Sequence, residues 1–156
     1  MNSNGLRITS RKLPHWFIEG ATFFIKFRIF KNDLLSVNEQ EIVLNHIKEG
    51  GQKYYILISA VVMPDHVHIL IQLNKQYNLS RILMGIKGVS ARKINRGRNS
   101  SGRIWQDESF DRIIRDDKEL MEKLNYMHNN PVKKGLTDKP EIYFGWYIND
   151  KYNIVQ

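Results

Sequence analysis

Eight residues, His66-Val67-His68-Ile69-Leu70-Ile71-Gln72-Leu73, alternate with the period of a β-strand and constrain this chain more than any other segment. Side chains two apart share a face, so His66 and His68 stand side by side while Val67, Ile69, Ile71 and Leu73 face the other way. The preceding segment, Lys53 to Met63, is apolar on both faces and reads as a central strand; Pro64-Asp65 then turns it into the histidine strand. The two should form an antiparallel hairpin. A lone histidine on a strand is more often a satisfied core residue. Two on one face make a platform for a metal ion, with plain hydrogen bonding as the alternative.

The rest of the chain supplies further elements. Phe23, Ile25, Phe27 and Ile29 alternate with Lys26 and Arg28, the pattern of a half-buried strand. Asn38 to Glu49 carries Ile42, Val43, His46 and Ile47 at helical spacing and stops at Gly50-Gly51. Ser80 is placed to cap a second helix running to about Asn95, with Leu79, Ile82, Leu83, Ile86, Val89 and Ile94 as its apolar stripe. Arg81, Gly85, Gly88 and Arg92 lie on its opposite face. Glycine in a helix interior costs roughly 1 kcal/mol relative to alanine, so these two call for a close approach, either of a packed helix or of nucleic acid. A short edge strand at Ile104-Trp105 precedes a last helix, Asp116 to Asn130, stopped by Pro131. The order strand, helix, strand, strand, helix, strand, helix predicts an α+β fold, a ferredoxin-like antiparallel sheet with helices packed on one face.

At 156 residues and 42% hydrophobic content the chain suits one domain over 1–156, with its core about 14–146 between a flexible N-terminal segment and a short C-terminal tail. No apolar run has the length of a membrane span, and Met1 to Lys12 lacks a secretory apolar stretch, which predicts a cytoplasmic protein. The absence of cysteine excludes disulfides and thiolate metal sites.

The net charge of +8 is localised. From His66 to Gln106 there is no Asp or Glu against eight basic residues, Lys75, Arg81, Lys87, Arg92, Lys93, Arg96, Arg98 and Arg103, while the remainder balances 16 basic against 16 acidic groups. That excess points to an anionic partner, nucleic acid before others, and five of the eight are Arg, whose planar fork suits phosphate. The segment 96–103 has the composition of a mobile basic loop able to close over DNA or RNA.

In the last helix the apolar stripe is Leu120, Leu124 and Met127, and Tyr126 falls about 130° from its centre. Asn130 follows one turn later on the same flank. A phenol and an amide oxygen are thereby presented together, and the amide could complete a two-histidine metal site. Such a set suits phosphoryl transfer through a covalent tyrosine intermediate.

The motifs Val62-Met63-Pro64-Asp65-His66-Val67-His68, Ile86-Lys87-Gly88, Trp105-Gln106 and Tyr126 with Asn130-Pro131-Val132-Lys133 occur together here. With Leu13-Pro14-His15-Trp16, they make the chain resemble the single-tyrosine HUH transposases, and within them the REP-associated tyrosine transposases of the IS200-like family. The resemblance runs to Trp146. It implies His66 and His68 as metal ligands, Asn130 as the third, Tyr126 as the nucleophile, and Mg²⁺ or Mn²⁺ as cofactor, with no nucleotide cofactor. It further implies recognition of a DNA hairpin, cleavage of single-stranded DNA beside it and a 5'-phosphotyrosine intermediate. Relatives are dimers with shared sites or monomers with self-contained ones, and the resemblance leaves both open here. Lys87, Arg92, Lys93, Arg96, Arg98 and Arg103 would then hold phosphates. Trp105 and Tyr77 would stack on unpaired bases, with a core role the alternative for Trp105. The rival readings are an inactive or domesticated hairpin-binding module for DNA or RNA, and a metal-dependent hydrolase of a small phosphate ester.

Overall fold

The computed structural model describes residues 20–74 and 76–152. The expected flexible N-terminal segment, the Leu13-Pro14-His15-Trp16 motif, Lys75 and the end of the C-terminal tail lie outside them. The elements run β1 (Thr22–Ile29), α1 (Val37–Gly50), β2 (Tyr55–Val62), β3 (His66–Leu73), α2 (Leu79–Arg98), β4 (Trp105–Ile113), α3 (Asp117–Lys133) and β5 (Trp146–Ile148). The five strands form one sheet of order β4-β1-β3-β2-β5, antiparallel at every pairing. The α+β expectation holds, and β1-α1-β2-β3-α2-β4 is the split βαβ arrangement of a ferredoxin-like sheet.

Both faces of the sheet are apolar, and both are covered. Ile25, Phe27, Val67, Ile69 and Ile71 pack beneath α1 and α2, joined by Val43, Ile47, Ile82, Ile86 and Ile94. Phe24, Ile58, Val61 and Leu70 form the opposite face and pack against Leu120, Leu124 and Met127 of α3, closed by Tyr143 and Tyr152. The expectation of helices on one face is therefore corrected: it describes α1 and α2, whereas α3 takes the other face. The cause is β2, whose apolar residues on both sides would leave one face bare without α3. A register shift between Leu57 and Ser59 also changes the strand's parity, so Leu57 and Ala60 join the first core.

Local chemistry moves several predicted boundaries. Ser36 and Glu39 form a reciprocal capping box at α1. At α2 the cap is Asn78, whose Oδ1 accepts from Arg81 N–H at 2.9 Å, not Ser80. The same helix continues to Arg98 and ends at Asn99 in the left-handed region, φ 53°. Arg96 and Arg98 thus belong to its last turn rather than to a mobile loop. Helix α3 runs through Pro131 to Lys133, so the proline costs the ladder only its own missing bond to the residue four before it and does not stop the helix there. The edge strand β4 is nine residues long, its polar sequence reflecting a strand mostly exposed to solvent. No helix among the described residues is long and apolar enough to cross a membrane.

Candidate active site

Strand β3 presents His66 and His68 on the face that α3 covers, and pairing with β1 sets Lys26 opposite His68 and Arg28 opposite His66. Asp65 Oδ1 lies 2.6 Å from His66 Nδ1. An ionised carboxylate only accepts, so the ring donates from Nδ1 and a neutral His66 keeps Nε2 bare for a ligand. His68 is 1% exposed, and neither of its ring nitrogens has a hydrogen-bond partner among the described residues. Its ring is stacked on Phe24 at 5.3 Å, stands edge-on to His66 at 4.8 Å, and stands edge-on to Tyr126 at 5.3 Å. Burial, aided by the charges of His66, Lys26, Lys123 and Arg28, pushes the His68 pKa down to about 3. Burial also lowers that of His66, with Asp65 opposing. Both rings are accordingly neutral near pH 7, the form that ligates metals.

Helix α3 supplies the other half. Its apolar stripe seats it on the sheet, and Lys123, Tyr126 and Asn130 follow one another along one flank. Tyr126 is 45% exposed, while Asn130 is buried with its Oδ1 unpaired among the described residues. Lys123 Nζ sits 4.7 Å from the centre of the Phe24 ring. His128 takes the other flank, against Trp146 at 4.9 Å. A groove of about 590 Å³, lined by Lys26, Arg28, His68, Phe110, Lys123 and Tyr126 among others, opens between α3, β1 and β4.

No group of three His, Cys, Asp or Glu among the described residues could hold a metal ion. The donors that fit one are two imidazoles and an amide: His66 with its proton fixed by Asp65, His68 with buried unpaired nitrogens, and Asn130 with a buried unpaired oxygen. Buried polar atoms without partners are uncommon in folded proteins, and a bound cation would satisfy one nitrogen of His68 and the Asn130 oxygen.

The predicted nucleic-acid residues do not gather at this groove, because α2 packs on the other face of the sheet. Lys87 donates to the Gln106 and Asp107 carbonyls at 2.7 and 3.1 Å and to Ser109 Oγ at 3.0 Å, tying α2 to β4. Arg98 is spent on Asp33 at 2.6 Å and Glu39 at 2.7 Å. Lys93 lies 3.8 Å from Glu49, and Arg103 lies 3.4 Å from Asp107 with its guanidinium over Phe30. Arg92 and Arg96 are exposed and form no ion pair with a described residue. Base stacking by Trp105 is overturned in this fold. The indole is 4% exposed, edge-on to Phe27 at 4.8 Å, and donates Nε1–H to Ser90 Oγ at 3.0 Å. Lys26, Arg28, Lys123 and Phe110 are the groove residues that sequence reasoning missed. Alternation in β1 had set Lys26 and Arg28 on one face, but only the register places that face beside the histidines.

Residues 25–130 match the family model described as transposase, IS200-like, a span that begins in β1 and ends on Asn130. The chain belongs to this transposase family. A Haemophilus influenzae (strain ATCC 51907 / DSM 11121 / KW20 / Rd) protein, whose name assigns it to the REP-associated tyrosine transposases, is 31% identical over 91 residues, 52% of each chain. The chain thus spans about half the length of that curated relative. Among solved structures, a REP-associated tyrosine transposase bound to a REP hairpin superposes with a TM-score of 0.69 at 22% identity, covering 81% of this chain and 76% of that one. A Deinococcus radiodurans structure described as that of a transposase gives a TM-score of 0.50 at 16% identity, covering 75% of this chain and 95% of the other. At these identities the family's fold is what the two structures share with this chain.

Proposed function

We propose that this protein is a metal-dependent single-stranded DNA endonuclease and strand transferase that recognises a hairpin and cuts through a 5'-phosphotyrosine intermediate. The observation that carries the reading is Tyr126. A half-exposed phenol stands edge-on to the unpaired His68 ring at the mouth of a cationic groove, in a chain of the IS200-like family. His66, His68 and Asn130 would hold Mg²⁺ or Mn²⁺, and the cation, when bound, would polarise the scissile phosphate. Manganese suits the two imidazoles better than magnesium, which prefers oxygen.

In the cleavage step the Tyr126 phenolate oxygen attacks phosphorus, an O–P bond forms, and the bond from phosphorus to the 3' oxygen breaks. The released strand takes a proton as a 3'-OH, while the 5' side stays on the tyrosine. Rejoining reverses these bonds with another 3'-OH, so no nucleotide cofactor is required. Lys26, Arg28 and Lys123 place positive charge along the groove for the phosphates beside the cut. On this reading His68 and Tyr126 of one chain, their rings 5.3 Å apart, would serve the same site.

The test is a labelled library of single-stranded hairpins incubated with the protein and Mn²⁺, resolved on denaturing gels for a covalent adduct. An adduct that disappears in Tyr126→Phe, and that a mixture of Tyr126→Phe with His68→Ala fails to restore, supports the reading. An adduct that survives Tyr126→Phe refutes it. Salt-sensitive hairpin binding with no adduct makes the protein a binding module instead.

A further inference from the structure

A second pocket, of about 420 Å³, opens on the other face of the fold, between the end of α1, the start of β2 and the first half of α2. Its size is that of a small-ligand site, toward the lower end of the usual range of roughly 300–1,000 Å³. Tyr54 and Tyr77 form a corner of it, their rings 5.2 Å apart and at 83° to each other, and Tyr54 is 46% exposed. Gly85 lies in the helix wall. A Cβ there would meet nothing within 4 Å, so no packing inside the molecule accounts for a glycine in the middle of a helix. What its missing side chain preserves is the open volume. Arg81, one turn before it, and Lys53 make no ion pair with a described residue. On the inner side His46 Nδ1 is shielded from solvent and lies 3.8 Å from the Glu49 carboxylate, which also lines the pocket.

We propose that this pocket receives one unstacked nucleobase with its 5'-phosphate. The base would lie against the tyrosine corner over Gly85, with its phosphate toward Arg81 and Lys53. The inference draws on the strand-transfer reading only for the nucleic-acid class of ligand, since the pocket lies across the sheet from Tyr126.

The test is an amide-resolved NMR titration of the full chain with each of the four deoxynucleoside 5'-monophosphates, with deoxyribose 5-phosphate as control. At least one base should shift the Gly85 and Tyr77 amides saturably, with deoxyribose 5-phosphate leaving them in place. The apparent affinity should fall at least tenfold in Gly85→Leu, a change that fills the pocket and raises helix propensity. Tyr77→Leu provides a second variant that removes a wall. Absence of saturable shifts with all four nucleotides, equal shifts with the control, or undiminished binding in both variants would overturn the proposal. Pocket shifts in a protein that forms no Tyr126 adduct would uphold the pocket and refute strand transfer; an adduct without pocket shifts would do the reverse.

Discussion

Removing the carboxylate of Asp65 should loosen metal binding without touching a ligand. In the fold Asp65 Oδ1 holds His66 Nδ1–H at 2.6 Å, which fixes both the tautomer and the tilt of the ring. Partners of this kind are worth about 10- to 100-fold in metal affinity, or roughly 1.4 to 2.8 kcal/mol. Asp65→Asn retains an acceptor oxygen but no charge and belongs at about the tenfold end of that range; Asp65→Ala belongs at about the hundredfold end. Asp65 also lies 3.4 Å from Arg28, with 43% and 47% of the two side chains exposed. A pair that wet contributes about 1 kcal/mol at most, so Arg28→Ala separates the two effects. The assay is Mn²⁺ binding without DNA, read from the electron paramagnetic resonance signal of the free ion. Unchanged affinity in both Asp65 variants would refute the argument, as would an equal loss in Arg28→Ala.

Two further outcomes follow from the same geometry. Lys26→Gln and Lys123→Gln should each flatten the salt dependence of hairpin binding by about one unit of log-log slope. Arg98→Gln should leave that slope unchanged, because Arg98 is already held by Asp33 and Glu39; fluorescence anisotropy of a labelled hairpin from low to moderate salt reads all three. Ser90→Ala strips the buried Trp105 indole of its acceptor and should cost about 1–3 kcal/mol. Urea denaturation measures this loss, and a loss absent from the Trp105→Phe background would assign it to the indole.

The order of the first seven elements was legible in sequence because β1 and β3 show a period of two and the helices one of three to four, while β2 shows as a continuous apolar run and β4 only as the short Ile104-Trp105 edge. The histidine pair and Tyr126 were legible for the same reason, since alternation fixes what shares a strand face and 100° per residue fixes what shares a helix flank. The side of the sheet on which α3 packs is a different kind of fact. A strand apolar on both faces, as Tyr55–Val62 is, accepts a helix on either, and long-range packing decides. The basic stretch misled in a related way. Six of the eight charges are distributed around α2, and some find partners far along the chain: Arg98 meets Asp33 and Glu39, 65 and 59 residues away. The cations that do line the groove, Lys26, Arg28 and Lys123, come from two distant segments whose meeting only the β1–β3 register and the seating of α3 determine.

The sheet is also a partition. Tyr126 and the histidines stand on one side of it, and the unpaired guanidiniums of Arg92 and Arg96 stand on the other. A helix about 10 Å across on either side of a sheet sets their separation on the order of 20 Å. A single DNA molecule touching both would pass around a rim of the sheet, a path longer than that separation and so more than about six steps at roughly 3.4 Å each. Under the proposed function the thickness of the protein would then set a minimum substrate length, and a fragment too short to turn that corner would meet only one side of it.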